Sequence, residues 1–211
     1  MNHTKPLYLT DSELNTATAK IVNLTTQGKK TLVFLDQTIF YPVGGGQPND
    51  TGVIKSDTGT LAVTSVRYHD GLIEHSGKIT GTLELNQSVT LEIDWPKRYQ
   101  HMQAHTAGHL IDEAVKEIEP QFHGIDGMHG INHEQYIEFN GFINSAIKVN
   151  IDAWLANAIK ADLPITSEMV TKKEIQQRHL ILPFELPTNK PLRLIKIGDH
   201  DPVPDGGTQL N

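Results

Sequence analysis

His105 and His109 lie four residues apart in a stretch that reads as helix, His105-Thr106-Ala107-Gly108-His109. One helical turn rises about 5.4 Å, so side chains at this spacing stand one above the other on one face. Two imidazoles placed in this way can grip a single metal ion through nitrogen. Near the C-terminus, Pro204-Asp205-Gly206-Gly207-Thr208-Gln209 puts a carboxylate and an amide into a glycine-rich loop that can supply further ligands. The sequence holds no cysteine, so any metal must be held by nitrogen and oxygen. A third segment, Phe40-Tyr41-Pro42-Val43-Gly44-Gly45-Gly46-Gln47-Pro48, has glycines that allow positive φ and close backbone approach. Its Gln47 adds both a donor and an acceptor. This loop is expected to contact a ligand and to face the His105/His109 helix; the alternative is a plain glycine-rich hairpin. It is not a phosphate-cradling P-loop, because no Lys-Ser/Thr follows the glycines.

The helix that must carry the histidine pair is amphipathic. At roughly 100° per residue, Ala107, Leu110, Ile111, Ala114 and Ile118 gather on one side. His101, His105 and His109 fall nearly opposite, so they are not core filling. They either face solvent or line a cleft built by other parts of the chain. A second pair at the same spacing, His129 and His133, lies among Gly124, Gly127 and Gly130, where helix is improbable. His123 and His129 can still reach a site from a loop.

Around these segments the chain changes character at Asp94-Trp95-Pro96. Residues 1–93 are expected to form a small β-barrel-like domain that includes the glycine motif. Runs at 31–35, 62–68 and 88–93 are rich in β-formers or alternate with period two, and Gly, Asn and Asp clusters divide them. A short helix is expected over Asp11–Val22. Residues 94–211 are expected to form an α+β domain, with a long helix to about Glu119 that Pro120 ends. Strands are expected at 135–139, 146–151, 165–170 and 192–197, and a helix at 152–161. A short helix should begin at Thr171, where Glu174 completes a capping box. The fold class is therefore α+β, a small N-terminal barrel followed by a domain built on a long helix and a mainly antiparallel sheet.

The formal net charge is -7 at pH 7, which argues mildly against a nucleic-acid partner. Any RNA must meet a local basic patch. Lys172, Lys173 and Arg178 form one candidate and Lys190, Arg193 and Lys196 another, each with solvated surface as the alternative. No apolar run approaches the roughly 20 residues of a membrane span, and Met1–Pro6 lacks the apolar core of a signal peptide. With no cysteine, the expected compartment is the cytoplasm and no membrane partner is expected.

Taken together, the three motifs resemble one family, the freestanding alanyl-tRNA editing proteins (the AlaX type), whose editing domain also occurs inside alanyl-tRNA synthetase. The helix motif is similar to Arg98 through Leu110, the glycine motif matches Phe40 through Pro48, and the tail motif aligns with Pro204 to Gln209. The resemblance spans nearly the whole chain, and the family pattern runs on into further strands where this sequence reaches Asn211. It implies a metal-dependent aminoacyl-tRNA deacylase that removes a wrong amino acid, serine or glycine, from the tRNA for alanine. It implies zinc or another divalent ion on His105, His109, Asp205 and Gln209, with Gln47, His105 and His109 as catalytic residues. Gly44, Gly45, Gly46, Gln47, His101, Gly206, Gly207 and Thr208 are the implied substrate contacts. Two tail ligands depart from the family pattern, Asp205 standing where the family has cysteine and Gln209 where it has histidine. Asp is a competent oxygen ligand for zinc, but exchanging thiolate for carboxylate hardens the site. The departures leave two other readings open: a non-catalytic tRNA- or ligand-binding homologue, and a metal hydrolase of some other small ester or amide.

Overall fold

The computed structural model describes residues 3–27, 30–130, 135–178 and 192–210. His133 and Lys190, both singled out in the sequence, lie outside them. The chain divides into two compact units, Met1–His101 and Met102–Asn211. In chain order the first carries β1 (Lys5–Pro6), a 3-10 turn at Leu7–Leu9, β2 (Thr16–Gln27), β3 (Lys30–Leu35), β4 (Gln37–Thr38), β5 (Gly52–Lys55), β6 (Gly59–His69), β7 (Leu72–Gly81) and β8 (Ser88–Ile93). Helix α1 (Trp95–Ile118) contains the division point. There follow β9 (Gly124–Met128), β10 (Tyr136–Phe139), α2 (Ser145–Lys160), β11 (Ile165–Val170), α3 (Lys172–Gln177), β12 (Leu192–Ile197) and β13 (Val203–Pro204). Among the described residues no helix is long and apolar enough to cross a membrane.

Six strands close into an antiparallel barrel in the order β2-β3-β7-β6-β5-β8. The alternation of β8 shows why: Val89, Leu91 and Ile93 are buried while Ser88, Thr90 and Glu92 are exposed. Ile21, Val33, Leu35, Ile54, Leu61 and Ile73 are fully buried in the same core. The helix expected over Asp11–Val22 does not form. Thr16-Ala-Thr-Ala-Lys-Ile-Val is rich in β-branched residues, which favour the pleated surface, and it pairs with β3 and β8 to complete the barrel. β1, β4, β5, β7, β9 and β13 are strands not expected from the sequence.

Two of the buried polar groups in this unit hold its parts together. The Arg98 guanidinium, fully buried, forms an ion pair with Asp50 Oδ2. It also donates to Asp50 Oδ1 at 2.9 Å, Ser12 O at 2.9 Å and Ile39 O at 2.7 Å. Asp50 Oδ2 accepts from Tyr41 N–H at 2.6 Å, and Asp50 N–H donates to Tyr41 O at 3.0 Å, so the glycine loop is closed at its base. At its tip Gly44 and Gln47 exchange backbone hydrogen bonds. Gly45 and Gly46 between them have φ of 55° and 73°, the paired positive values that a type I′ hairpin turn needs. The second polar group is His75, whose ring lies between Thr38 Oγ1 at 2.9 Å and Val33 O at 3.1 Å.

Helix α1 begins in the first unit, with Asp94 Oδ1 accepting from Lys97 N–H at 3.4 Å, an N-cap with Pro96 in the first turn, and the rest of it belongs to the second. Its Ile111, Ala114, Val115 and Ile118 pack with Ile147, Ile151, Trp154 and Leu155 of α2. The strand expected at 146–151 is thus the start of a helix. The alternation of Ile147, Val149 and Ile151 suggests period two, but Ile147, Ile151, Trp154 and Leu155 form a helical stripe and Val149 is exposed. Asn144 caps that helix by accepting from the Ala146 and Ile147 amides. β9 and β10 form a hairpin, and β11-β12-β13 an antiparallel sheet. The capping box of Thr171 and Glu174 is present at the start of α3.

Removing one partner of a buried ion pair strands the other charge, at a cost of about 3–5 kcal/mol. Arg98→Met should therefore lower the unfolding free energy, read from urea denaturation, by an amount of that order. The double variant Asp50→Leu/Arg98→Met should recover part of it. A second expectation concerns acid. Burial pushes His75 down to about 4, against the opposing pull of the Val33 and Ile73 carbonyls. The unfolded chain, with an ordinary histidine near 6.5, therefore takes up the proton first. Stability contributed by neutral His75 is full above that value and is lost as pH falls from 6.5 towards 4, a loss on the order of 3 kcal/mol. Urea denaturation over pH 4–7 should show a shallower acid limb in His75→Gln than in the parent.

Candidate metal centre

His105 and His109 project from adjacent turns of α1 and meet Asp205 from the segment just after β13. Their ligand atoms, together with a carboxylate oxygen of Asp205, all lie within 4.8 Å of one another. Asp205 Oδ1 is 3.4 Å from His105 Nε2 and 4.0 Å from His109 Nε2. His109 Nε2 is buried and makes no hydrogen bond. Buried imidazole nitrogens are rarely left without a partner; here the orphan is directed at the same oxygen as His105.

The carboxylate is held from its other side. Arg193 of β12 donates to Asp205 Oδ2 at 3.0 Å and, from Nε, to Asp205 O at 3.2 Å. It also bonds the Gly207 carbonyl. The backbone ladder places it there, with Asp205 N–H donating to Arg193 O at 3.0 Å. Gly207 N–H reaches back to Asp205 Oδ1 at 2.9 Å, the Asx-type turn that a short acidic side chain makes two residues on. Gln209 has both amide atoms engaged. Its Nε2 donates to Asp205 Oδ2 at 3.0 Å and its Oε1 accepts from Thr106 Oγ1 at 2.8 Å. The Thr106 hydroxyl in turn accepts from Leu210 N–H at 3.2 Å. The tail is thereby tied to the helix within one turn of each histidine.

Electrostatics set the protonation states. Burial pushes His105 down to about 3; Asp205 pulls it up, while His109, His129 and Arg193 reinforce the fall. Burial acts to raise Asp205, but His105, His109, Arg193 and the Gly207 amide outweigh it and hold the carboxyl below the usual range. At neutral pH His105 is uncharged, so Arg193 and the amide do most to hold the negative charge. A neutral imidazole nitrogen beside an ionised carboxylate oxygen is the state in which a divalent cation binds. Two nitrogens and one oxygen suit zinc, and three protein ligands leave a position open.

The profile of the tRNA synthetases class II (A) family matches residues 10–97. The alanyl-tRNA editing protein AlaX-L of Pyrococcus horikoshii is 32% identical over 97% of this chain and 50% of its own length. AlaX-M of Saccharolobus solfataricus is 39% identical over 51% of this chain and 45% of its own. The alanine–tRNA ligase of Sulfurisphaera tokodaii is 32% identical over 99% of this chain and 23% of its own length. The chain is a homologue of the alanyl-tRNA editing proteins of the AlaX type. It spans half the length of the AlaX-L relative and about a quarter of the ligase.

Against this background the other sequence-derived residues can be located. In the second unit, Gly207 and Thr208 are buried and Gly206 is exposed. In the first, Gln47 is buried, and so is His101, whose Nδ1 makes no hydrogen bond. Burial lowers the His101 pKa. Arg193, offered above as part of a basic patch, is instead buried and committed to the tail. Arg178 is paired with Glu168. The parity of β12 held the signal for Arg193, since it shares a face with Ile195 and Ile197, both buried. The sequence reading also gave no role to Thr106.

Asp205→Ala should abolish stoichiometric uptake of a divalent ion, read as metal content after dialysis. Asp205→Cys should bind zinc at least as tightly as the parent. Unchanged metal content in Asp205→Ala would remove Asp205 from the ligand set.

Proposed function

We propose that this chain is a trans-editing hydrolase, cleaving the ester that joins serine or glycine to the tRNA for alanine. The observation that carries the reading is the unpartnered, buried His109 Nε2 aimed with His105 Nε2 at one oxygen of Asp205, in a chain similar to named editing proteins. His105, His109 and Asp205 would hold zinc or another divalent ion, which when bound supplies Lewis acidity at the ester. Gln209 is proposed at the edge of this set, its amide fixing the carboxylate rather than competing for the ion. Arg193 fixes the other carboxylate oxygen, so Asp205 keeps one orientation. Within this unit the exposed backbone at Gly206, with Gly207 and Thr208 behind it, is proposed to contact the aminoacyl end. On the barrel unit, Gln47, the Gly44–Gly46 turn and His101 are proposed substrate contacts on the strength of the motif resemblance. A site that hydrogen-bonds the serine hydroxyl would separate serine from alanine, because the buried partner would be left unpaired; this contact acts on serine alone, since glycine lacks the hydroxyl too.

One observation favours a second reading, a non-catalytic tRNA- or ligand-binding homologue. The Arg193–Asp205 pair already neutralises the carboxylate without a metal ion. The two readings separate in one assay on tRNA for alanine charged with serine, glycine or alanine. The editing reading expects release of serine or glycine well ahead of alanine, and loss of that release on chelation. Equal rates on all three would remove the editing role. Retention of the tRNA with no amino acid released would establish the binding reading. Hydrolysis of free amino-acid esters but not of charged tRNA would point to a small-ester hydrolase.

A further inference from the structure

His129 is unexplained by the site as described so far, and its placement is unusual. It follows directly on β9, whose Met128 is paired with Tyr136 in the hairpin. Its ring lies on that of His105, with centroids 4.4 Å apart and planes at 12°. This is closer than the 5.0 Å between His105 and His109. The contact depends on a bare position in α1. A Cβ built on Gly108 would fall 2.6 Å from His129 Cε1 and 3.0 Å from Nδ1. Glycine in the middle of a helix is worse than alanine by about 1 kcal/mol, and at Gly108 it gives room for the His129 ring. The described donor atoms gathered within 4.8 Å are those of His105, His109 and Asp205, and His129 is outside that group.

We propose that His129 is a positioning residue of the metal centre: its ring is the plate against which His105 is set, and Gly108 is the slot that admits it. The proposal rests on the reading of His105, His109 and Asp205 as metal ligands. An imidazole ligand has a rotatable ring, and its nitrogen meets a metal only within a narrow range of orientations. His105 Nε2 stands 3.4 Å from Asp205 Oδ1, and a flat ring stacked on its face removes the rotation that would turn that nitrogen away. Stacking of this kind needs a ring and not a ring nitrogen, and this separates positioning from ligation.

The test is titration of the full chain with zinc and with cobalt(II), following affinity and the cobalt absorption spectrum. His129→Ala should weaken binding by about 10- to 100-fold, the usual penalty for losing an outer support of a metal ligand. His129→Phe should restore affinity close to that of the parent with the cobalt spectrum unchanged. Gly108→Ala is the independent arm: it improves helix propensity and displaces only a side-chain tip, so the chain should fold, yet it should weaken binding in the direction of His129→Ala. If His129→Ala does not fold, Gly108→Ala and His129→Phe carry the test. Parent-like affinity in His129→Ala or in Gly108→Ala overturns the proposal. Weak binding and an altered cobalt spectrum in His129→Phe also overturn it, by making His129 a ligand. A parent protein that binds neither ion overturns the metal reading itself and the proposal with it. A parent that binds while the variants match it overturns the proposal alone.

Discussion

Asp205 carries a negative charge on a side chain largely withdrawn from water, and the tail is arranged around that charge. A buried carboxylate is tolerated only when its lone pairs are met by donors or cations. Its two oxygens are met differently. Oδ2 receives Arg193 and Gln209. Oδ1 receives one backbone amide, from Gly207, and otherwise faces two histidine nitrogens. This asymmetry gives the group a direction. Arg193 is set by its place in β12, Gln209 by its bond to Thr106 on α1, and the histidines by their spacing on the same helix. A one-residue slip in β12 would put Leu194 where Arg193 stands and leave the carboxylate without its cation.

The barrel unit contains a buried carboxylate under the opposite condition. Asp50 meets Arg98 through both oxygens and also accepts from the Tyr41 amide. The Arg98 donors left over are met by the Ser12 and Ile39 carbonyls. This closed network locks the base of the glycine loop to the start of α1, within the same unit. Arg98 lies inside the stretch that first looked like a helix motif for metal binding, yet its role is structural. The two carboxylates differ in what remains directed at them: Asp50 is surrounded by donors, whereas Asp205 faces a neutral imidazole and an unpartnered nitrogen. Of the two, it is Asp205 that belongs, among the described residues, to a group that could hold a metal ion.

What the sequence discloses follows from the range of the interactions involved. The helical placement of the histidine pair, the cap at Thr171 and the alternation of β8 are local, and they read correctly because spacing decides them. The helix expected at Asp11–Val22 failed because barrel closure, a contact between strands far apart in sequence, decides the conformation of β2. The strand expected at 146–151 failed because two periodicities fit the same residues, and the apolar face of α1 selects the helical one. Arg193 was legible in part through its parity in β12, but basic residues are so often on the surface that the charge outweighed the parity. His129 was legible only as a residue able to reach a site from a loop. Its stacking on His105, 24 positions earlier, is a tertiary contact that no local pattern encodes.

The tail shows how two departures from a motif can answer one another. A thiolate presents one sulfur to a metal and asks for few hydrogen bonds beyond it. A carboxylate in the same position brings a second oxygen, and in a buried site that oxygen must be bonded or the substitution is destabilising. Gln209 meets that need with a donor aimed at Asp205 Oδ2, while its carbonyl oxygen accepts from Thr106. An amide can donate and accept at once over this short span because both groups sit on one planar head. Gln209, where the motif resemblance implies a histidine, is then the complement of Asp205, where it implies a cysteine. A chain that keeps Asp205 has a physical reason to keep Gln209, and returning cysteine to position 205 removes the partner for which the Gln209 donor is placed.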